Sequence, residues 1–129
     1  MDDQEHLQIG EVATRTELSI KTIRHYDEVG LVVPSARSVG GFRLYTSVDV
    51  DRLLAIRRMK PLGFSLDEMR ELLAALDTLA APAASPAERD RATAHVAECH
   101  TRAEEACVKL IRQLAYAEEL TDQLARYRS

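Results

Sequence analysis

Residues 19–45, SIKTIRHYDEVGLVVPSARSVGGFRLY, gather most of the side chains able to grip a polyanion. Lys21, Arg24 and His25 carry cations or ring donors, Thr22 a short hydroxyl, and Tyr26 and Tyr45 phenols. Arg37 and Arg43 flank the Gly40-Gly41 pair. A guanidinium makes bidentate contacts to phosphate or to the O6/N7 edge of guanine, and a tyrosine hydroxyl donates to phosphate. Thr22 and His25 are short enough to read base edges, whereas Arg37 and Arg43 are the leading phosphate contacts. Tyr26 and Tyr45 are either contacts or half-core residues, and the sequence leaves that choice open. Lys60, further on, joins the contact set, while Lys21, Arg57 and Arg58 are backbone contacts or solvated cations.

The elements that hold these side chains follow from local signals. Ser19 is an N-cap type whose hydroxyl accepts an orphan backbone N–H, and Gly30 suits the left-handed position after a helix. Residues 19–29 therefore read as a helix with Ile23 and Tyr26 on one face. Pro34 ends any regular run. Gly40-Gly41 then forms a tight turn between extended pieces at 36–38 and 42–45. Ahead of them, Ile9, Val12 and Ala13 space an apolar stripe for a first helix over 9–15, with 16–18 as the turn and 1–7 as a frayed tail. Leu18, Ile23 and Leu31 are expected to line the contact between the two helices. A basic helix followed by a basic hairpin is the arrangement by which a winged helix-turn-helix holds duplex DNA, the helix in the major groove and the hairpin on the backbone.

Two more helices follow. Ser47 is expected to cap the third, with Asp49 and Asp51 in its first turn and Leu53, Leu54, Ile56, Met59 and Leu62 facing inward. Ser65 and Glu68 form a capping box for the fourth, whose apolar face is Leu66, Met69, Leu72, Leu73 and Leu76. Residues 77–85, DTLAAPAAS, read as a linker. Ser85, Pro86 and Glu88 then start a helix that meets no proline or glycine up to Arg128, a span of about 60 Å. A stripe alternating three and four runs through Val96, Cys99, Ala103, Ala106 and Leu110, with Leu114, Ala117, Leu120 and Leu124 continuing it. That is a coiled-coil seam. A domain of about 75 residues cannot cover so long a seam, so a second copy must.

The 129 residues carry a net charge of −4, which is unusual for a DNA-binding chain until its distribution is considered. Residues 15–60 hold nine Lys/Arg against five Asp/Glu, a balance of +4, and the remainder balances at −8. A basic patch on an acidic body attracts phosphate locally and keeps the other surfaces off it. No run of about 18 apolar residues exists, so no membrane partner is expected. The opening MDDQEHLQ is unlike a signal peptide, so a cytoplasmic, nucleoid-associated protein with reduced Cys99 and Cys107 is expected.

The sequence resembles the MerR family of bacterial transcription regulators. IGEVA at 9–13, LS at 18–19, TIRHYDEVGL at 22–31, Pro34, Arg37, GGFRLY at 40–45 and LGFSLDEMRELL at 62–73 stand in the family's order and spacing. His25 and Phe42 stand where the family commonly has tyrosine, and Glu17 replaces a common turn glycine, which implies a strained turn. The resemblance implies a mainly α fold: a winged helix-turn-helix over 1–76, a linker over 77–85, and an antiparallel dimerisation helix over 86–129. It implies a homodimer on a pseudo-palindromic promoter operator, distorting the DNA so that RNA polymerase engages it.

No glycine-rich phosphate loop, nucleophile elbow or catalytic carboxylate pair is present, so neither an enzyme nor a cofactor is expected. His95 and Cys99 at i, i+4 raise a metal reading. Metal-sensing family members place paired cysteines just after the long helix, and none follows here, so no metal is expected. A thiol-based stress sensor using Cys99 or Cys107, which needs an exposed, acidic thiol, and a coiled-coil adaptor protein are the alternatives.

Overall fold

The computed structural model describes residues 5–128. The order of elements is β1 (Leu7–Gln8), α1 (Ile9–Thr16), α2 (Ile20–Glu28), β2 (Ala36–Arg37), β3 (Arg43–Tyr45), α3 (Ser47–Met59), a 3₁₀ turn (Lys60–Leu62), α4 (Leu66–Ala80) and α5 (Pro86–Ala125). The chain divides into two compact units, 1–74 and 75–129.

In the first unit, α1 stops at Glu17, whose φ of 59° is the one positive value outside glycine among the described residues. The left-handed conformation strains a residue with a Cβ, as the missing turn glycine implied. The turn survives because its polar groups are occupied. Glu17 N donates to Ala13 O at 2.9 Å, and Arg57 Nη1 donates to Thr16 O at 2.7 Å. Ser19 then caps α2, accepting from Thr22 N at 3.0 Å. Leu31 N and Val32 N both return to Tyr26 O, which folds the chain back after α2.

β2 and β3 form the expected hairpin, with Arg37 opposite Arg43. Gly41, at φ +84°, closes the turn, and its N–H donates to Ser38 O. The sheet has a third strand that the sequence did not suggest. Leu7 and Gln8 pair antiparallel with Tyr45 and Leu44, in the order β1-β3-β2. The expected frayed tail therefore gives way to a strand at Leu7, which is buried; its part before Glu5 lies outside the described residues.

Three further boundaries differ from expectation. Thr46, not Ser47, caps α3: its hydroxyl accepts from Asp49 N, and Asp49 Oδ2 accepts from Thr46 N, completing a capping box. Asp49 also accepts from Ser35 N and Ser35 Oγ, at 3.1 and 2.6 Å, so it moors the loop before the hairpin. The linker is shorter than 77–85, because residues 77–80 continue α4. Asp77-Thr78-Leu79 keep helical hydrogen bonding where the composition alone suggested a break. The long helix ends at Ala125 rather than Arg128, and Ser129 lies outside the described residues.

The core of this unit is Val12, Ile23, Tyr26, Leu31, Val32, Tyr45, Val50, Leu53, Ile56, Met59, Phe64, Met69 and Leu73. Each aliphatic, Phe or Met side chain among them contributes about 1.5–3 kcal/mol relative to exposure. Leu18, Leu54, Leu62, Leu66 and Leu72 are half-buried, and Leu76 is exposed.

In the second unit, Ser85 and Glu88 make the expected reciprocal cap of α5 at 3.1 and 2.8 Å. Arg89 donates to Leu79 O and Ala81 O, satisfying carbonyls at the end of α4. Along α5, Ala92 and Cys99 are buried, and Val96, Ala103 and Ala106 are half-buried. From Leu110 onward the seam lies open: Leu110, Leu114, Ala117, Leu120 and Leu124 are all exposed. Val108, Ile111 and Tyr116, absent from the expected stripe, are exposed too and widen the apolar band.

Candidate nucleic-acid interface

Helix α2 offers the predicted cationic face. Ile23 and Tyr26 are buried, so Lys21, Arg24 and His25 are left exposed. Thr22 is half-buried, and its Oγ1 accepts from Ser19 Oγ at 2.8 Å. That bond uses a lone pair of Oγ1 and leaves the threonine's own proton able to donate. Lys60, exposed where α3 runs into the 3₁₀ turn, shares with Lys21, Thr22 and His25 an open groove of about 570 Å³ floored by Tyr26, Phe64, Leu66 and Met69. A smaller recess brings Arg24 beside Gln8, Ile9, Gly41, Phe42 and Arg43, joining the helix face to the hairpin. Val39 and Phe42 stand exposed at the hairpin tip.

The two hairpin arginines are not loose surface cations. Arg43 Nε donates to Asp27 Oδ2 at 2.7 Å, and Arg37 Nη2 reaches the same oxygen at 3.3 Å. Arg37 Nη1 also donates to Gly41 O at 3.3 Å. The Asp27 hydrogen bond raises the Arg43 pKa above its ordinary value, so this cation stays charged. Because Arg43 uses Nε, its two Nη groups make no hydrogen bond among the described residues and remain available to an anion.

Tyr26 and Tyr45 resolve toward the core. Tyr26 is 3% exposed and Tyr45 fully buried, so of the two readings the sequence left open, contact or core, the burial favours core; Tyr26 still floors the groove beside Lys21 and His25. Tyr26 lies one helical turn after Ile23 on the buried face of α2, and Tyr45 is the buried end of β3. Tyr45 Oη has no hydrogen-bond partner among the described residues. Its burial, with Asp27 second, pushes the phenol pKa up. Arg57, taken as a contact or a solvated cation, is instead a tether from α3 to the end of α1, while Arg58 is exposed. Arg70 plays the same part for α2, its Nη2 donating to Val29 O at 2.8 Å.

Sequence reasoning missed Asp27 and Arg70, and for Asp49, expected only as a first-turn anion, it missed the bonds to Ser35 and Thr46. For Asp27 a signal existed: a carboxylate in the last turn of α2 opposes the helix dipole and calls for a cation from elsewhere. In α5, His95 Nε2 stands 3.7 Å from Cys99 Sγ, and Cys107 is exposed. Among the described residues no three His, Cys, Asp or Glu side chains gather as metal ligands.

Two helices joined by a tight turn, followed by a hairpin whose arginines lean on the second helix, define a winged helix-turn-helix. Residues 7–76 match the family model described as MerR HTH family regulatory protein, and residues 50–117 match that described as MerR, DNA binding. The chain belongs to the MerR family. It is similar to the HTH-type transcriptional regulator CueR of Yersinia pestis, with 39% identity over 114 residues, 88% of this chain and 80% of that protein. The Vibrio cholerae CueR regulator shares 46% identity over 67 residues, 52% of this chain and 48% of its own. The chain thus spans about half the length of that relative. The solved N-terminal part of the Bacillus subtilis multidrug transporter activator, MtaN, is 28% identical, with a TM-score of 0.55 over 93% of this chain and 95% of that one.

Proposed function

We propose that this chain is a sequence-specific transcriptional regulator that binds a pseudo-palindromic promoter operator as a homodimer. In this reading residues 1–76 hold the DNA, and 86–129 pair antiparallel with a second copy. The dimer distorts the operator so that RNA polymerase engages the promoter, and the protein works in the bacterial cytoplasm without catalysis of its own.

The observation that carries the reading is the exposed row of Lys21, Arg24 and His25 on a helix whose opposite face is locked by Ile23 and Tyr26. A helix so fixed presents its donors at a set angle to a groove; in this reading Thr22 and His25 read bases and Arg37 and Arg43 hold phosphates. The open seam beyond Leu110 supports the dimer, since an apolar band of this length on one helix needs a partner.

Selection from a randomised duplex library with the purified chain tests this. Enrichment of an inverted repeat is expected. Uniform recovery of all sequences would overturn the reading.

A further inference from the structure

We propose that Asp27 is the positioning and specificity-determining residue of the interface, locking the hairpin arginines to α2 and withholding their charge from non-cognate DNA. This rests on the duplex-binding reading above. Asp27 Oδ2 accepts from Arg43 and from Arg37, residues directly opposed across the β2–β3 pair. Two like charges in such a cross-strand position repel. One carboxylate between them removes that repulsion and leaves the trio with a single net positive charge.

The Asp27 side chain is only 12% exposed, so it is poorly screened and its hold on Arg43 is stronger than that of a surface pair. It belongs to α2, one residue after the buried Tyr26, while both cations belong to the hairpin. The reading helix and the phosphate-binding hairpin are therefore bolted together through this one side chain. A correctly placed phosphate meets the Nη groups of an already oriented Arg43. A misplaced one has to compete with Asp27 for the guanidinium. That competition penalises wrong registers more than the right one, which is specificity.

Replacing Asp27 separates this role from simple structural support, because the two predict opposite signs. In Asp27→Asn each half-site gains a unit of positive charge and loses the bolt. Affinity for a scrambled duplex should rise several-fold at low salt, with a steeper salt dependence. Affinity for the library-selected duplex should not rise with it, so the selected-to-scrambled ratio should fall about tenfold or more. Asp27→Glu keeps the charge but moves the carboxylate outward. It should leave scrambled-duplex binding near wild type while weakening the selected duplex.

Binding isotherms at several salt concentrations, with thermal unfolding as the folding control, read all of these. A parallel loss on both duplexes, or an unchanged ratio in either folded variant, would overturn the proposal. So would an unfolded Asp27→Asn accompanied by an Asp27→Glu that binds as wild type. If the wild-type chain shows no preference for any duplex, the duplex-binding reading itself fails, and that result is visible before any variant is made.

Discussion

Asp27 Oδ2 of α2 accepts a 2.7 Å hydrogen bond from Arg43 Nε of β3, sixteen residues further along the chain. The pair ties the reading helix to the hairpin and points to a division of labour between them. In the function proposed above, Arg43 is to hold a phosphate and read no base, while Thr22 and His25 are to read the groove.

Arg43→Ala should weaken binding to selected and scrambled duplexes alike. The salt slope should fall by about one unit for each phosphate that is no longer held, counted twice in a dimer. His25→Ala should spare the scrambled duplex and relax preference at one base pair per half-site, at about 1–3 kcal/mol each. Isotherms over a salt series distinguish the two. An unchanged slope in Arg43→Ala would remove the hairpin from the phosphate-binding surface.

Dimerisation should depend on the distal half of α5. Leu110 is the first residue of the open part of the seam, and 37% of it is exposed in the single chain. Leu110→Glu should give monomers in sedimentation and abolish operator binding, because two half-sites are then no longer held together. A wild-type chain that sediments as a monomer at micromolar concentration would refute the seam.

Tyr45→Phe should stabilise the protein by about 1 kcal/mol. The buried phenol oxygen has no partner among the described residues, and an unsatisfied buried hydroxyl costs about 1–3 kcal/mol. The pH sign is definite. The folded-state pKa is raised by burial, so the stability tied to the neutral phenol is present below the ordinary tyrosine range and lost as pH rises through the raised value. Thermal melts above about pH 10 should fall less steeply in Tyr45→Phe. A large drop in operator affinity instead would mean that Tyr45 reaches DNA after all.

The turn between α1 and α2 yields two opposed effects. Glu17→Gly should stabilise by about 0.5–1 kcal/mol, since glycine adopts φ 59° without a Cβ clash. Arg57→Ala should destabilise by about 1.5–3 kcal/mol by removing a charged donor from Thr16 O. Denaturant midpoints measure both, and an inert Arg57→Ala would mean that solvent replaces the tether.

Acid should loosen the start of α5. The hydrogen bonds from Ser85 backbone and side chain hold the Glu88 carboxylate below its ordinary pKa. Its contribution is therefore complete above the usual glutamate range and is lost as pH falls through the lowered value. Hydrogen exchange at the Ser85 and Glu88 amides should quicken there, and Glu88→Gln should remove the pH dependence.

What the sequence determined by itself are the features set within a few residues. The Ser19, Ser65 and Ser85 caps, the Gly30 stop, the Gly40-Gly41 turn and the apolar stripes were all legible, because each depends on neighbours in the chain; the strain at Glu17 was implied only by the resemblance to the family. The cationic face of α2 followed from the same helical period. Tertiary structure decided the rest. Leu7 became a strand only because β3 offered it an open edge. Thr46 displaced Ser47 as cap because Asp49 could reciprocate with it while also holding Ser35. Tyr45 went inside because its side of β3 met the core. Arg37 and Arg43 were read as phosphate contacts, Arg57 as a contact or a solvated cation, and Arg70 was given no role; in the fold two share Asp27 and two close helix ends. A guanidinium on a long stem reaches whichever acceptor the fold brings near, and each of these four has one acceptor between ten and forty-one residues away in the chain, although Arg37 and Arg70 also donate locally, to Gly41 O and to Asp67. Local pattern carries no information about such partners, so the assignment of each arginine belongs to the fold.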